Sequence, residues 1–147
     1  MRIFRPGLVT RLLFPEAVFR VISPGEFLYL TFDDGPDPAS TPELLDLLDE
    51  LGVRAGFFCN GHAAEKFPEL VSRTRGRGHT IGNHGYEHLC GWKTPAKEYL
   101  ENAEKAVPYT SSILFRPPYG KMTPSQYSLL KSKFRIIMWD IMAWDFD

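Results

Sequence analysis

Five short runs rich in β-branched and aromatic residues, spaced by longer stretches of helical periodicity, restrict the fold of this chain more than any other feature. FLYLTFD at 27–33, VRAGFFC at 53–59, HTIGN at 79–83, ILFR at 113–116 and FRIIMW at 134–139 read as strands. Such β-α-β-α alternation sets consecutive strands parallel with helices packed outside, in an open sheet or one curling into a barrel. Thr41-Pro42, Thr94-Pro95 and Thr123-Pro124 each put a capping hydroxyl before a proline at the first helical position. Ser40 with Glu43, and Thr123 with Gln126, have capping-box spacing. Gly52 closes the first helix, whose apolar stripe reads Leu44, Leu47, Leu48 and Leu51, and a less regular second helix is expected near 63–75.

The 147 residues, 44% of them hydrophobic, suit one domain with a real core. Lys+Arg total 17 against Asp+Glu 18, so a net charge of -1 gives no long-range field for nucleic acid, and no nucleic-acid partner is expected. Cys59 and Cys90 are too few for a disulfide framework and read as free thiols. Arg5, Arg11, Glu16 and Arg20 break every apolar run near the start, so no cleavable signal is expected. No transmembrane segment is expected either, since no stretch approaches about 20 apolar residues. The default address is cytoplasmic, with a peripheral-membrane or cell-envelope location as the alternative; Pro6 and Pro15 hold any N-terminal amphipathic helix to about two turns. The sequence carries no sign of oligomeric state.

In parallel α/β sheets ligands bind beyond the C-terminal strand ends, and four polar clusters fall there. Strand 27–33 runs into Asp33-Asp34-Gly35-Pro36. Neighbouring side chains on an extended chain point to opposite sides, so one carboxylate can hold a metal while the other faces the water. The second cluster, His79 to His88, contains three of the chain's four histidines, and His84 and His88 would share one face of a helical turn. With Asp34 they make a set of two histidines and one carboxylate that leaves coordination positions open. Arg116-Pro117-Pro118-Tyr119-Gly120 forms a rigid third loop, in which Arg116 is placed to pair with Asp33 and the Tyr119 N–H to face an oxyanion. The fourth cluster, Trp139 to Asp147, mixes aromatics with carboxylates.

Taken together, these segments resemble the first four motifs of the polysaccharide deacetylases, the carbohydrate esterases of the NodB-homology type, in order and over residues 27–147. The resemblance implies an incomplete or distorted (β/α) barrel of about five parallel strands with an open edge. Residues 1–26 would form an N-terminal extension packing on that domain. It implies that Asp33 is the catalytic base and that Asp34, His84 and His88 hold a divalent metal, most readily zinc, with cobalt or manganese as alternatives. Arg116 would tune the base, Tyr119 and Pro117 would line the acetyl site, and Asp145 would orient a general-acid histidine. Trp144, Trp92 and Tyr86 are candidates for stacking on sugar rings. Gly85 stands where the family usually has Ser or Thr, removing a loop-bracing hydroxyl, and Phe146 replaces a tryptophan of the fourth motif. The family's general-acid histidine lies in a fifth motif, yet no histidine follows His88; the resemblance thus implies a domain lacking its final strands. His62 is expected in a loop rather than as a substitute acid.

The implied activity is removal of N-acetyl or O-acetyl groups from an N-acetylglucosamine-containing polysaccharide, such as peptidoglycan or chitin oligomers. The rival readings are a non-catalytic module that binds metal or glycan and a small-amide hydrolase of the same family.

Overall fold

Strand pairing follows the order of the sequence. The computed structural model describes residues 3–4, 7–25 and 27–143. Its elements are β1 (Ile3–Phe4), α1 (Leu8–Leu13), β2 (Thr31–Asp33), α2 (Thr41–Glu50), β3 (Gly56–Cys59), α3 (Gly61–Lys66), α4 (Pro68–Gly76), β4 (Thr80–Asn83), α5 (Ala96–Lys105), α6 (Val107–Thr110), β5 (Leu114–Phe115), α7 (Pro124–Leu130), β6 (Arg135–Ile136) and β7 (Met142–Ala143). Strands β2-β3-β4-β5-β6 form one sheet, parallel at every pairing, and among the described residues it does not close into a barrel. The expected five-stranded open architecture is therefore the observed one. A short antiparallel pair, β1 with β7, was not expected from the pattern. No helix among the described residues is long and apolar enough to cross a membrane.

Period-two alternation in the strands and 3.6-residue periodicity in the helices sort the apolar side chains into two clusters. Phe57, Cys59 and Ile81 meet Leu45, Leu48, Ala64 and Val71 in the first. Phe115, Ile136 and Met138 meet Tyr99, Ala103, Tyr127 and Leu130 in the second, which also takes in Phe14, Ala17 and Phe19. Phe14, Ala17 and Phe19 thus tie this segment to the core, and Val18 bridges Ile137 beside β6. Cys59 is buried in the core, where desolvation pushes its thiol up to about 12, and Cys90 is likewise a free thiol.

The helix boundaries show which local signals were decisive. Thr123 and Gln126 form a reciprocal capping box at α7, with bonds of 3.2 and 2.9 Å. Ser40 makes no side-chain cap to α2; instead Asp37 Oδ2 accepts from the Ser40 N–H at 2.8 Å, and Thr41 Oγ1 accepts from the Asp37 N–H at 2.8 Å. The hydroxyl of Thr94 donates back to the Cys90 carbonyl at 2.9 Å, leaving Pro95 to precede α5. The single helix expected near 63–75 is two, because Pro68 opens a new first turn at Phe67. On α2 the buried stripe is Thr41, Leu45 and Leu48, whereas Leu47 and Leu51 face solvent. The helix is rolled from the expected stripe so that Leu45 points at the sheet.

Candidate active site

Register brings the chemistry to one rim. Asp33 pairs with Phe58, Cys59 with Asn83, and Asn83 with Phe115, so β2, β4 and β5 end together. Asp33-Asp34, His84 and Arg116 leave the sheet there, and the ladder continues through His84 N–H to Cys59 O and Arg116 N–H to Asn83 O, both 2.9 Å.

The two aspartates diverge as their adjacency implies. Asp34 sits in the left-handed region, φ 72°, which turns its carboxylate away from that of Asp33. Asp34 Oδ1 lies 3.1 Å from His88 Nε2 and 3.6 Å from His84 Nε2. Asp33 Oδ1 instead accepts from Arg116 Nη1 at 2.7 Å. That guanidinium is almost fully buried, donates also to Thr31 Oγ1, Ile137 O and Met138 O, and lies 4.0 Å over the Phe58 ring. Burial lowers the Arg116 pKa, while the Asp33 carboxylate opposes that shift by its charge and its hydrogen bond.

The histidines converge by a different route from the one their spacing suggests. Residues 84–90 are a loop, not a helical turn. Gly85 carries φ 82°, a conformation costly for any other residue type, and a Cβ there would lie 2.8 Å from Asn102 Nδ2. Asn102, on α5, clamps the middle of the loop: its side chain accepts from Glu87 N–H and donates to Glu87 O, both 2.8 Å, while its carbonyl accepts from Tyr86 N–H at 3.1 Å. Asn83 Oδ1 holds the Gly85 N–H at 2.8 Å, and the Tyr86 hydroxyl donates to Glu65. An amide clamp thus stands where a hydroxyl brace was judged missing.

His84 is buried, and its Nδ1 lies 2.7 Å from the Arg116 carbonyl. Donation by Nδ1 to that carbonyl leaves the Nε2 lone pair facing Asp34. Desolvation lowers the His84 pKa to about 4, so the ring is neutral near pH 7, as a ligand must be. One ligand atom from each of Asp34, His84 and His88 lies within 4.8 Å of the others. Ligands about 2.1 Å from one tetrahedral ion stand about 3.4 Å apart, so the Asp34 separations fit such an ion without rearrangement.

Tyr119 also occupies the left-handed region, φ 58°, and its ring is 4.4 Å from that of His88. Pro117 is fully buried and therefore supports the loop rather than offering a contact surface. His79 is not part of this group: at the opposite end of β4 its Nδ1 accepts from the Ala55 N–H at 3.1 Å. His62 lies in the first turn of α3, not in a loop, against the Tyr86 ring. Trp144 and Asp145 lie outside the described residues. The reading from residue types alone missed Asn102, whose signal was an asparagine in a helix interior, where it is disfavoured unless its amide has work elsewhere.

A parallel sheet whose C-terminal rim carries an Arg-paired aspartate beside an Asp-His-His cluster defines a hydrolase-like α/β domain with a candidate metal seat. The family model for polysaccharide deacetylase matches residues 21–133, and the chain belongs to that family. It is 39% identical over 119 residues to a peptidoglycan-N-acetylglucosamine deacetylase of Bacillus cereus, covering 76% of this chain and 43% of that protein. Against a chitooligosaccharide deacetylase of Sinorhizobium fredii it is 42% identical over 101 residues, 63% of this chain and 46% of the relative. The solved structure of Bacillus subtilis PdaA, a family 4 carbohydrate esterase, superposes with a TM-score of 0.79 at 25% identity, covering 96% of this chain and 64% of that one. The chain spans about half the length of the curated relatives it matches.

Proposed function

We propose that this domain hydrolyses acetyl groups on an N-acetylglucosamine-containing glycan of the peptidoglycan or chitin-oligomer class, using a divalent metal held by Asp34, His84 and His88. The observation that carries the reading is the division of labour between adjacent aspartates, Asp34 facing two histidines and Asp33 paired with a buried arginine. The relatives' activities support the substrate class.

When bound, a divalent metal, most readily zinc for this donor set, supplies Lewis acidity toward the acetyl carbonyl and lowers the pKa of water. Asp33 accepts the proton of the attacking water. Arg116 fixes the direction of that carboxylate, because its guanidinium is itself locked by two backbone carbonyls. The Tyr119 N–H donates to the oxyanion as the carbonyl becomes tetrahedral. Expulsion of an amine requires a proton on nitrogen, and among the described residues no further histidine stands at the site.

That asymmetry sets the test. The 147-residue chain, loaded with zinc, should release acetate from an aryl acetate, whose leaving group needs no proton, faster than from chitotetraose. General acid assistance is worth about 10²- to 10⁴-fold, which sets the size of the difference. Asp33→Ala and chelation should each abolish the ester reaction. Ester cleavage that survives both would overturn the proposal.

A further inference from the structure

Trp92 is 67% exposed, an unusual position for a tryptophan, yet it stands on a rigid mount. The buried Gln126 amide donates to Gly91 O at 2.7 Å and Thr94 O at 2.8 Å, bracketing the 3-10 turn Gly91–Lys93. The turn also packs directly on the neighbouring loop, since a Cβ on Gly91 would lie 2.3 Å from the Lys121 carbonyl. Lys121 Nζ then sits 5.1 Å from the Trp92 ring and 5.9 Å from the Tyr119 ring. The Tyr119 ring in turn packs tilted against that of His88. An exposed indole and an ammonium are thereby fixed to one another and joined through Tyr119 to the candidate metal seat. Among the described residues Lys121 has no carboxylate partner.

From this we infer that Trp92 and Lys121 form a subsite for a sugar bearing a carboxylate substituent, adjacent to the acetylated sugar. The indole face takes the apolar face of the ring, and the ammonium, held among aromatic rings, pairs with the carboxylate. The inference rests on the deacetylase reading and narrows it: a neutral chitin-type oligomer leaves Lys121 unpaired, whereas a glycan with carboxylated sugars satisfies it.

Binding separates the two claims. Isothermal titration of the metal-free chain, which does not turn substrate over, would compare a tetrasaccharide of alternating N-acetylglucosamine and N-acetylmuramic acid, its carboxyl-reduced form, and chitotetraose. The muramic tetrasaccharide should bind about fivefold tighter than either neutral ligand at low ionic strength, the upper range for a partly exposed ion pair, and the preference should vanish at 1 M salt. Lys121→Gln should abolish the preference, so that the muramic tetrasaccharide and its carboxyl-reduced form bind alike. Trp92→Ala should weaken all three ligands, by about tenfold if stacking contributes at its usual strength. Equal affinities, a preference that persists in Lys121→Gln, or no binding of any glycan would each overturn the subsite. Aryl-acetate cleavage measured in parallel reads the other claim: ester activity without a carboxylate preference sinks the subsite alone, and a carboxylate preference without ester activity sinks the hydrolase alone.

Discussion

Asn102→Ala should weaken metal binding while leaving the fold intact. The Asn102 side chain makes two 2.8 Å hydrogen bonds to Glu87, the residue immediately before His88. Each such bond stabilises by about 0.5–1.5 kcal/mol net, and these lie where water can replace them, so the pair is worth about 1–1.5 kcal/mol of loop order. The substituted loop holds His88 in place for a smaller fraction of the time, and apparent affinity falls with that fraction. At about 1.4 kcal/mol per decade, zinc binding should weaken between about fivefold and twelvefold. The assay is zinc titration against a chromophoric competing chelator, with the urea midpoint of the metal-free protein as the control for the fold. His84, fixed by Arg116 O and the β4 ladder, should remain in place. Zinc affinity equal to wild type would refute the clamp's role in positioning His88. An equal fall in affinity and a collapsed urea transition would show that Asn102 serves the fold instead.

Gly85→Ala forces a positive φ on a residue with a Cβ and drives that Cβ against Asn102, so it should destabilise by about 1–3 kcal/mol and weaken zinc binding, as urea denaturation and the same titration will show. Arg116→Met leaves the Ile137 and Met138 carbonyls without their guanidinium donor and should lower stability by about 1–3 kcal/mol in urea denaturation. Arg116→Met should also slow ester hydrolysis at neutral pH, because the base loses the guanidinium that fixes its direction. His84 and His79 both have folded-state pKa values below the ordinary histidine value, His84 at about 4 and both through burial first. The unfolded chain therefore binds protons more readily, so metal-free stability is full above pH ~6.5 and falls as pH drops from there toward about 4, by up to about 3 kcal/mol from His84. Urea midpoints across that range check the sign.

The parallel sheet was legible because its strands are short, aromatic and separated by helix-length spacers, and because parallel order follows chain order under the right-handed crossover rule. The candidate site was legible where types and spacing are unusual, as in Asp33-Asp34 and the His84/His88 pair. Geometry that depends on tertiary contacts was not. The histidine loop looked like a helical turn by its four-residue spacing, yet Gly85 and the Asn102 clamp make it irregular. Asp37, not Ser40, accepts the side-chain hydrogen bonds here, from the Ala39 and Ser40 amides of the turn leading into α2, since both types can cap and only the turn decides which one reaches. The α2 stripe came out rolled because Leu44, Leu45, Leu47, Leu48 and Leu51 offer more apolar positions than one face can bury.

The central claim is that Asp34, His84 and His88 hold one divalent ion beside Asp33. Anomalous diffraction at the zinc edge, from crystals of the chain grown with zinc, tests it directly. The account predicts one strong peak bonded to Asp34 Oδ1, His84 Nε2 and His88 Nε2 at about 2.0–2.2 Å, with Asp33 outside the coordination shell and still paired with Arg116. A peak elsewhere, a peak ligated by Asp33, or none at this rim would contradict it.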